Sequence, residues 1–219
     1  MGKIALIAGA SGLVGQHLLH LLLHSEVYDH IIAIVRSPLN NQHPKLIEHI
    51  IDFDKLEELS SLFAVDDVFC CLGTTIKKAG SQEMMYRIDV DYPFTIAKLS
   101  QQQGAQQFLV VSAMGANPNS SIFYSRMKGE MEQKLASLAY PALSILRPSL
   151  LLGERNEVRA GERIGAIVAK GTAWLMVGPL QKYKAIEGKQ VAQAMLKISD
   201  MEKKGDYIYS NEQLHQLTK

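Results

Sequence analysis

Apolar runs alternate with amphipathic stretches along most of the chain. Five runs are rich in Ile and Val: Lys3 to Ala8, His30 to Val35, Asp67 to Cys71, Gln107 to Ser112 and Ala142 to Arg147. They are apolar almost throughout rather than alternating, as strands covered by helices on both faces must be. A weaker run at Ile47 to Asp52 supplies a sixth strand. Helical patterns fill the intervals, and this alternation folds by right-handed βαβ units into a doubly wound parallel α/β sheet. After Pro148, Gly and charged residues break the alternation. Residues 150–219 are therefore expected to form a small substrate-side cap on a core of residues 1–149. Within the cap the pattern predicts a helix near Arg159 to Ala169, a loop at Gly171 to Lys184, a helix near Gly188 to Ile198 and a late strand at Tyr207 to Tyr209. No repeat or linker divides the chain, which reads as one domain.

The first strand runs straight into Gly9, Ala10, Ser11, Gly12, Leu13, Val14 and Gly15, and a leucine-rich helix follows. At Gly9 the chain must turn sharply, at Gly12 the backbone must come close to a pyrophosphate with no Cβ in the way, and at Gly15 the helix must sit tight on the sheet. The helix N-terminus then offers N–H groups and a partial positive charge to phosphates. In this context the pattern points to a Rossmann dinucleotide site. Its spacing, G-x-x-G-x-x-G, points toward the short-chain dehydrogenase/reductase superfamily.

Tyr124 and Lys128 lie four residues apart in YSRMKGE, a segment that opens a helix. On a helix both fall on one face, about 6 Å apart at Cβ. A phenol with an ordinary pKa of ~10 is a poor acid or base at neutral pH, and a neighbouring ammonium favours the phenolate. Such a pair can pass a proton to or from a substrate oxygen while a hydride moves to or from a nicotinamide. Ser112 ends the Gln107 run, at the carboxyl edge where such sheets bind ligands, and its hydroxyl is placed to hold a substrate carbonyl.

At the end of the second strand, where NAD enzymes place a carboxylate on the ribose hydroxyls, stand Arg36 and Ser37. A guanidinium cannot accept those protons but pairs with a 2′-phosphate, which favours NADP(H) over NAD(H). The alternative is a solvated charge. Cys71, Leu72, Gly73 and Thr74 end the fourth strand beside the same crevice, with Cys71 as a small hydrophobe or a reactive thiol.

Among 219 residues, 47% are hydrophobic and the net charge is +1. A sizeable core is available, and nucleic-acid binding has no support in the charge pattern. The two cysteines, Cys70 and Cys71, are neighbours that point to opposite faces of a strand, which excludes a disulfide framework and fits a reducing cytoplasm. The N-terminal apolar run is needed as a strand, and the later run Ile164 to Leu180 is too interrupted to span a membrane. His17, His20 and His24 share a helical face at metal-like spacing but read as its solvated side, so no metal site is expected. Trp174 to Val177 could be core, a lid or a protein contact. Nothing marks a subunit interface, so monomer and homodimer both stay open.

The segments CLGTT at Cys71 to Thr75, YSRMKGE at Tyr124 to Glu130 and LRPSLLLGER at Leu146 to Arg155 resemble the atypical branch of the short-chain dehydrogenase/reductase superfamily that holds the TIP30-like oxidoreductases and their bacterial relatives. The resemblance covers most of the chain up to about Arg155. It implies NADP(H) binding, with Ser112, Tyr124 and Lys128 on the catalytic Ser, Tyr and Lys. It also places adenine contacts at Asp52 and Phe53, where Asp52 as a helix cap is the alternative. Arg147, Pro148, Ser149 and Leu150 fall where the family's chain lines the nicotinamide, with Pro148 as a plain strand terminator the alternative. Many competent members carry an Asn on the central helix that relays protons to the Lys, and here RIDVDYP offers Asp89 instead. The expected function is an NADP(H)-dependent oxidoreductase acting on a small-molecule carbonyl or alcohol. A cofactor-binding redox sensor or assembly protein without turnover, and a sugar-nucleotide epimerase, are the alternatives.

Overall fold

The computed structural model describes residues 2–153 and 183–219. Seven parallel strands form one sheet in the order β3-β2-β1-β4-β5-β6-β9. They are β1 (Lys3–Ala8), β2 (Tyr28–Val35), β3 (Leu46–Ile50), β4 (Asp67–Cys70), β5 (Gln107–Val111), β6 (Ala142–Arg147) and β9 (Gly205–Ser210). A two-stranded parallel patch, β7 (Leu151–Leu152) with β8 (Ile186–Glu187), stands apart from it. Strand order reverses between β1 and β4, and the loops leaving their carboxyl ends part there to open a crevice.

The strands read as apolar runs because helices cover both faces. On one face α1 (Gly15–Leu23) and α6 (Gly188–Ser199) pack with Ile7, Phe69, Leu109 and Leu146. On the other, the 3-10 turns of Phe53–Phe63, α4 (Tyr92–Gln102) and α5 (Phe123–Ala136) enclose Leu6, Val68, Phe108 and Ile145. Between β4 and α4 come α2 (Ile76–Ala79), α3 (Gln82–Tyr86) and a π-helical turn at Arg87–Asp91. Residues 82–102 run as one helix with that turn inside it, since the backbone stays helical through Arg87 and Tyr92. Pro93 supplies the cause: it has no N–H for the carbonyl four residues back, that of Asp89, and its ring pushes the turn open. The C-terminal helix α7 (Asn211–Leu217) starts at a capping box between Ser210 and Gln213.

The expected parallel sheet is present, with shifted ends. β2 begins two residues earlier than the pattern suggested, β3 is Leu46–Ile50 rather than Ile47 to Asp52, and Cys71 and Ser112 lie just beyond their strands. The larger difference concerns the C-terminal region. Residues 188–217 join the main layers: Val191, Ala192 and Met195 of α6 are in the core beside α1, and β9 pairs with β6 along its length. Gly188 to Leu217 thus extends the sheet and its helices, where a cap was expected. The helix predicted near Arg159 to Ala169, most of the Gly171 to Lys184 loop and Trp174 to Val177 lie outside the described residues.

Candidate functional site

Because every strand of the main sheet is parallel, everything that follows a strand gathers at one edge. The glycine loop after β1, Arg36 after β2, Asp52 after β3, Cys71 to Thr74 after β4, Ser112 after β5 and Arg147 to Leu150 after β6 share it.

In the glycine loop, two of the three glycines are fixed by the protein's own packing. Gly9 has φ +84°, and a Cβ there would stand 2.6 Å from the backbone carbonyl of Cys71. At Gly15 a Cβ would come within 2.0 Å of the Gly9 oxygen. Gly12 is different: its nearest atom would be the Gly9 oxygen at 3.2 Å, a contact a small shift relieves, so packing alone does not demand a glycine there. Its side is open to solvent beside Ser11. The side chains of Ala10, Leu13 and Val14 turn inward, which leaves Ser11, Gly12 and the backbone to meet a ligand. The first turn of α1 has neither a side-chain cap nor an acidic residue. An uncapped N-terminus with a bare glycine in front of it is suited to a phosphate.

Arg36 is exposed at the end of β2, and Gly73 is exposed at the crevice. Asp52 is a cap, its carboxylate accepting the Asp54 N–H at 3.0 Å, and Phe53 is buried in the core. Burial pushes both thiols up, Cys70 to about 11 and Cys71 well above its ordinary value, which disfavours a thiolate near neutral pH. Pro148 is buried and its carbonyl accepts from the Met114 N–H at 2.9 Å. The Ser149 hydroxyl donates to the Lys184 carbonyl at 2.6 Å, a structural tie. Leu150 is exposed.

Tyr124, Lys128 and Glu132 stand at successive turns of α5. Tyr124 is 41% exposed, whereas Lys128 is 3% and Glu132 6% exposed. Lys128 Nζ lies 2.8 Å from Asp89 Oδ1, and Asp89 Oδ2 accepts the Thr74 N–H at 2.8 Å. One buried carboxylate on the π-helical turn therefore joins the lysine to the loop after β4. Burial alone would lower the Lys128 pKa, but the charge of Asp89, then that of Tyr124, more than offset it and hold the ammonium above its ordinary 10.5. Ser112 is also buried. Its hydroxyl donates to Glu132 Oε1 at 2.5 Å, and Arg147 grips the same carboxylate through Nε at 3.0 Å and Nη2 at 2.5 Å. From the sequence Ser112 is expected to face a substrate, whereas the structure turns its hydroxyl to Glu132. The sequence signal for Glu132 is a carboxylate four residues beyond Lys128 among the apolar Met127, Met131 and Leu135.

Among the described residues no group of three or more His, Cys, Asp or Glu could hold a metal ion. The ring centroids of His20 and His24 lie 4.4 Å apart with the planes tilted by 42°. No described helix is long and apolar enough to cross a membrane.

Residues 9–201 match the sequence family described as NAD(P)H-binding. The chain belongs to that family. Its glycine loop and the crevice between β1 and β4 fit such a group, as the bare Gly12 and uncapped α1 indicate. HTATIP2 from Rattus norvegicus is 38% identical over 164 residues, 73% of this chain and 67% of the relative. FMP52 from Candida glabrata, named as mitochondrial, is 36% identical over 162 residues, 73% of this chain and 68% of that one. Two solved structures share the fold. MoeE5, in complex with UDP-glucose and NAD, aligns over 94% of this chain and 75% of its own with a TM-score of 0.72 and 17% identity. The UDP-glucose 4-epimerase of Thermotoga maritima aligns over 98% and 81% with a TM-score of 0.70 and 16% identity.

Proposed function

We propose that the chain is an NADP(H)-dependent oxidoreductase of the short-chain dehydrogenase/reductase type, interconverting a carbonyl and an alcohol on a small molecule in the cytoplasm. The observation that carries the reading is the pairing on α5: an exposed phenol one turn from a buried ammonium, at the edge where the glycine loop lies. The bound cofactor supplies or takes up the hydride. Carbonyl plus NADPH plus one proton gives alcohol plus NADP+, so the protein must deliver that proton, and Tyr124 Oη is the group placed to do so. Lys128 makes the phenolate left behind less costly, and it orders the ribose side of the site. Asp89 stands where many members of the resembled family carry a relay Asn, and it holds Lys128 in place as a cation. Ser112 positions the substrate oxygen, and rotation of its hydroxyl away from Glu132 frees its proton for that oxygen while Arg147 keeps Glu132 fixed. Arg36 selects the 2′-phosphate.

A sensor without turnover would have no need of an exposed phenol beside a buried ammonium. The test is NADPH oxidation by the purified protein across aldehydes, ketones and quinones beside Tyr124→Phe, with NADPH binding measured for both. Turnover lost by 10²-fold or more in a variant that still binds NADPH supports the reading, on the scale general acid catalysis contributes. Tight binding with no turnover on any compound favours the sensor.

A further inference from the structure

Around Tyr124 the described loops that leave β4, β5 and β6 carry little charge. The loops leaving β4, β5 and β6 read CLGTTI from Cys71 to Ile76, SAMGANPNSSI from Ser112 to Ile122 and PSLLLG from Pro148 to Gly153, and none of the three carries an ionisable acid or base other than Cys71. Their exposed large side chains are apolar: Ile76, Met114, Ile122 and Leu150, beside the half-exposed ring of Tyr124. The β5 and β6 loops are joined, since the Met114 N–H donates to the Pro148 carbonyl, and Ile122 directly precedes the helix that bears Tyr124. The cation beside Ser112 is Arg147, and it is neutralised. Glu132 Oε1 accepts from both Ser112 Oγ and Arg147 Nε, so the guanidinium lies two hydrogen bonds from Ser112 with its charge met by Glu132.

We infer that the substrate is an uncharged carbonyl compound with an apolar chain or ring, and that the Glu132–Arg147 pair is what excludes anionic substrates. This rests on the oxidoreductase reading for the site. A nucleotide-sugar or a carboxylate-bearing aldehyde brings negative charge that the segments Cys71 to Ile76, Ser112 to Ile122 and Pro148 to Gly153 have no cation to meet, and burying a charge without a partner is costly. An alkyl chain instead covers Met114, Ile122 and Leu150, each methylene adding the free energy of leaving water. The pair therefore acts on specificity by refusal as much as by attraction.

The test uses the full-length protein saturated with NADPH. For unbranched aldehydes from propanal to nonanal, kcat/KM is expected to rise about fourfold per methylene over the first few, which is ~0.8 kcal/mol each. Met114→Ser with Ile122→Ser flattens that slope. The carboxylate-bearing 4-oxobutanoate is expected to be at least tenfold poorer than butanal, and Glu132→Gln, which keeps the shape and releases the charge of Arg147, narrows the gap. Primary alcohols from butanol to decanol, titrated calorimetrically into the NADPH-saturated protein, give a readout independent of turnover. Alcohols that tighten with chain length while no aldehyde is reduced would leave the apolar site standing and remove the catalytic reading. A slope that is flat in both series, or a preference for 4-oxobutanoate or UDP-glucose, would overturn the inference.

Discussion

Removing the carboxylate of Asp89 leaves two buried groups without partners. Asp89 is 1% exposed and Lys128 3%, and they meet at 2.8 Å, so in Asp89→Ala the ammonium has no counter-charge and the Thr74 N–H has no acceptor. Breaking a buried pair from one side costs about 3–5 kcal/mol. The orphaned N–H adds about 1 kcal/mol or more. That is a quarter or more of a total stability that for such domains is about 5–15 kcal/mol. Asp89→Asn keeps an acceptor for Thr74 and loses about 1 kcal/mol less. In Asp89→Leu with Lys128→Met both charges go, and the loss is smaller than in Asp89→Ala because no uncompensated ion remains. Urea unfolding at pH 7 reads the effect as a midpoint lowered by about 1.5–3 M for Asp89→Ala at an unchanged slope of about 2–3 kcal/mol/M. The pH dependence has a fixed sign. Lys128 titrates above 10.5 in the folded protein, so the pair's contribution is complete below 10.5 and fades as pH rises through the folded value. The gap between the native protein and Asp89→Ala therefore narrows above pH 10.5. An Asp89→Ala variant within about 1 kcal/mol of the native protein, or a double variant that loses the sum of both single losses, would refute the reasoning.

Gly9→Ala forces a side chain into φ +84° against the Cys71 carbonyl and loses more than about 2 kcal/mol, whereas Gly12→Ala keeps a melting temperature near the native one and loses NADPH affinity; melts and titrations of both separate packing from binding. Arg36→Ala weakens NADPH binding by roughly ten- to a hundredfold, the worth of a hydrogen bond to a charged group, and leaves NADH binding unchanged in fluorescence titration. Asp67 is buried with Oδ1 unpartnered, and burial holds its carboxyl above the ordinary 3.8 although the Tyr28 hydroxyl and Lys3 oppose the shift. A raised folded value means its favourable contribution is complete below 3.8 and lost as pH rises through that value, so Asp67→Asn is expected to gain stability at pH 7 and to lose the advantage as melts approach pH 3.5.

β1, β4, β5 and β6 were legible because each is buried on both faces and so reads as a continuous apolar run. Parallel pairing then puts every strand-end residue at one edge without further information. β9 was legible only in part: Asp206, Tyr207 and Ile208 are exposed on an edge strand, so burial left a weak pattern, and the strand was read short and assigned to a cap. The site divides in the same way. Glycine spacing and the Tyr124/Lys128 step are local, and a sequence carries local geometry well. The tie between Asp89 and Thr74 and the convergence of Ser112 and Arg147 on Glu132 join residues 15–20 apart through tertiary packing, which periodicity does not encode. Asp89 was noticed as a departure from a motif, but its partner and its burial came only from the fold, where Pro93 opens the helix at its carbonyl.

Transfer of deuterium from NADPH labelled at the nicotinamide C4 position tests the central claim most directly. With nonanal as acceptor, the account predicts nonanol carrying one deuterium at C1 by mass spectrometry, and a Tyr124→Phe variant that binds the labelled cofactor equally well yet forms labelled alcohol at least 10²-fold more slowly. Full cofactor binding with no deuterium in any product, or equal labelling by Tyr124→Phe, would contradict it.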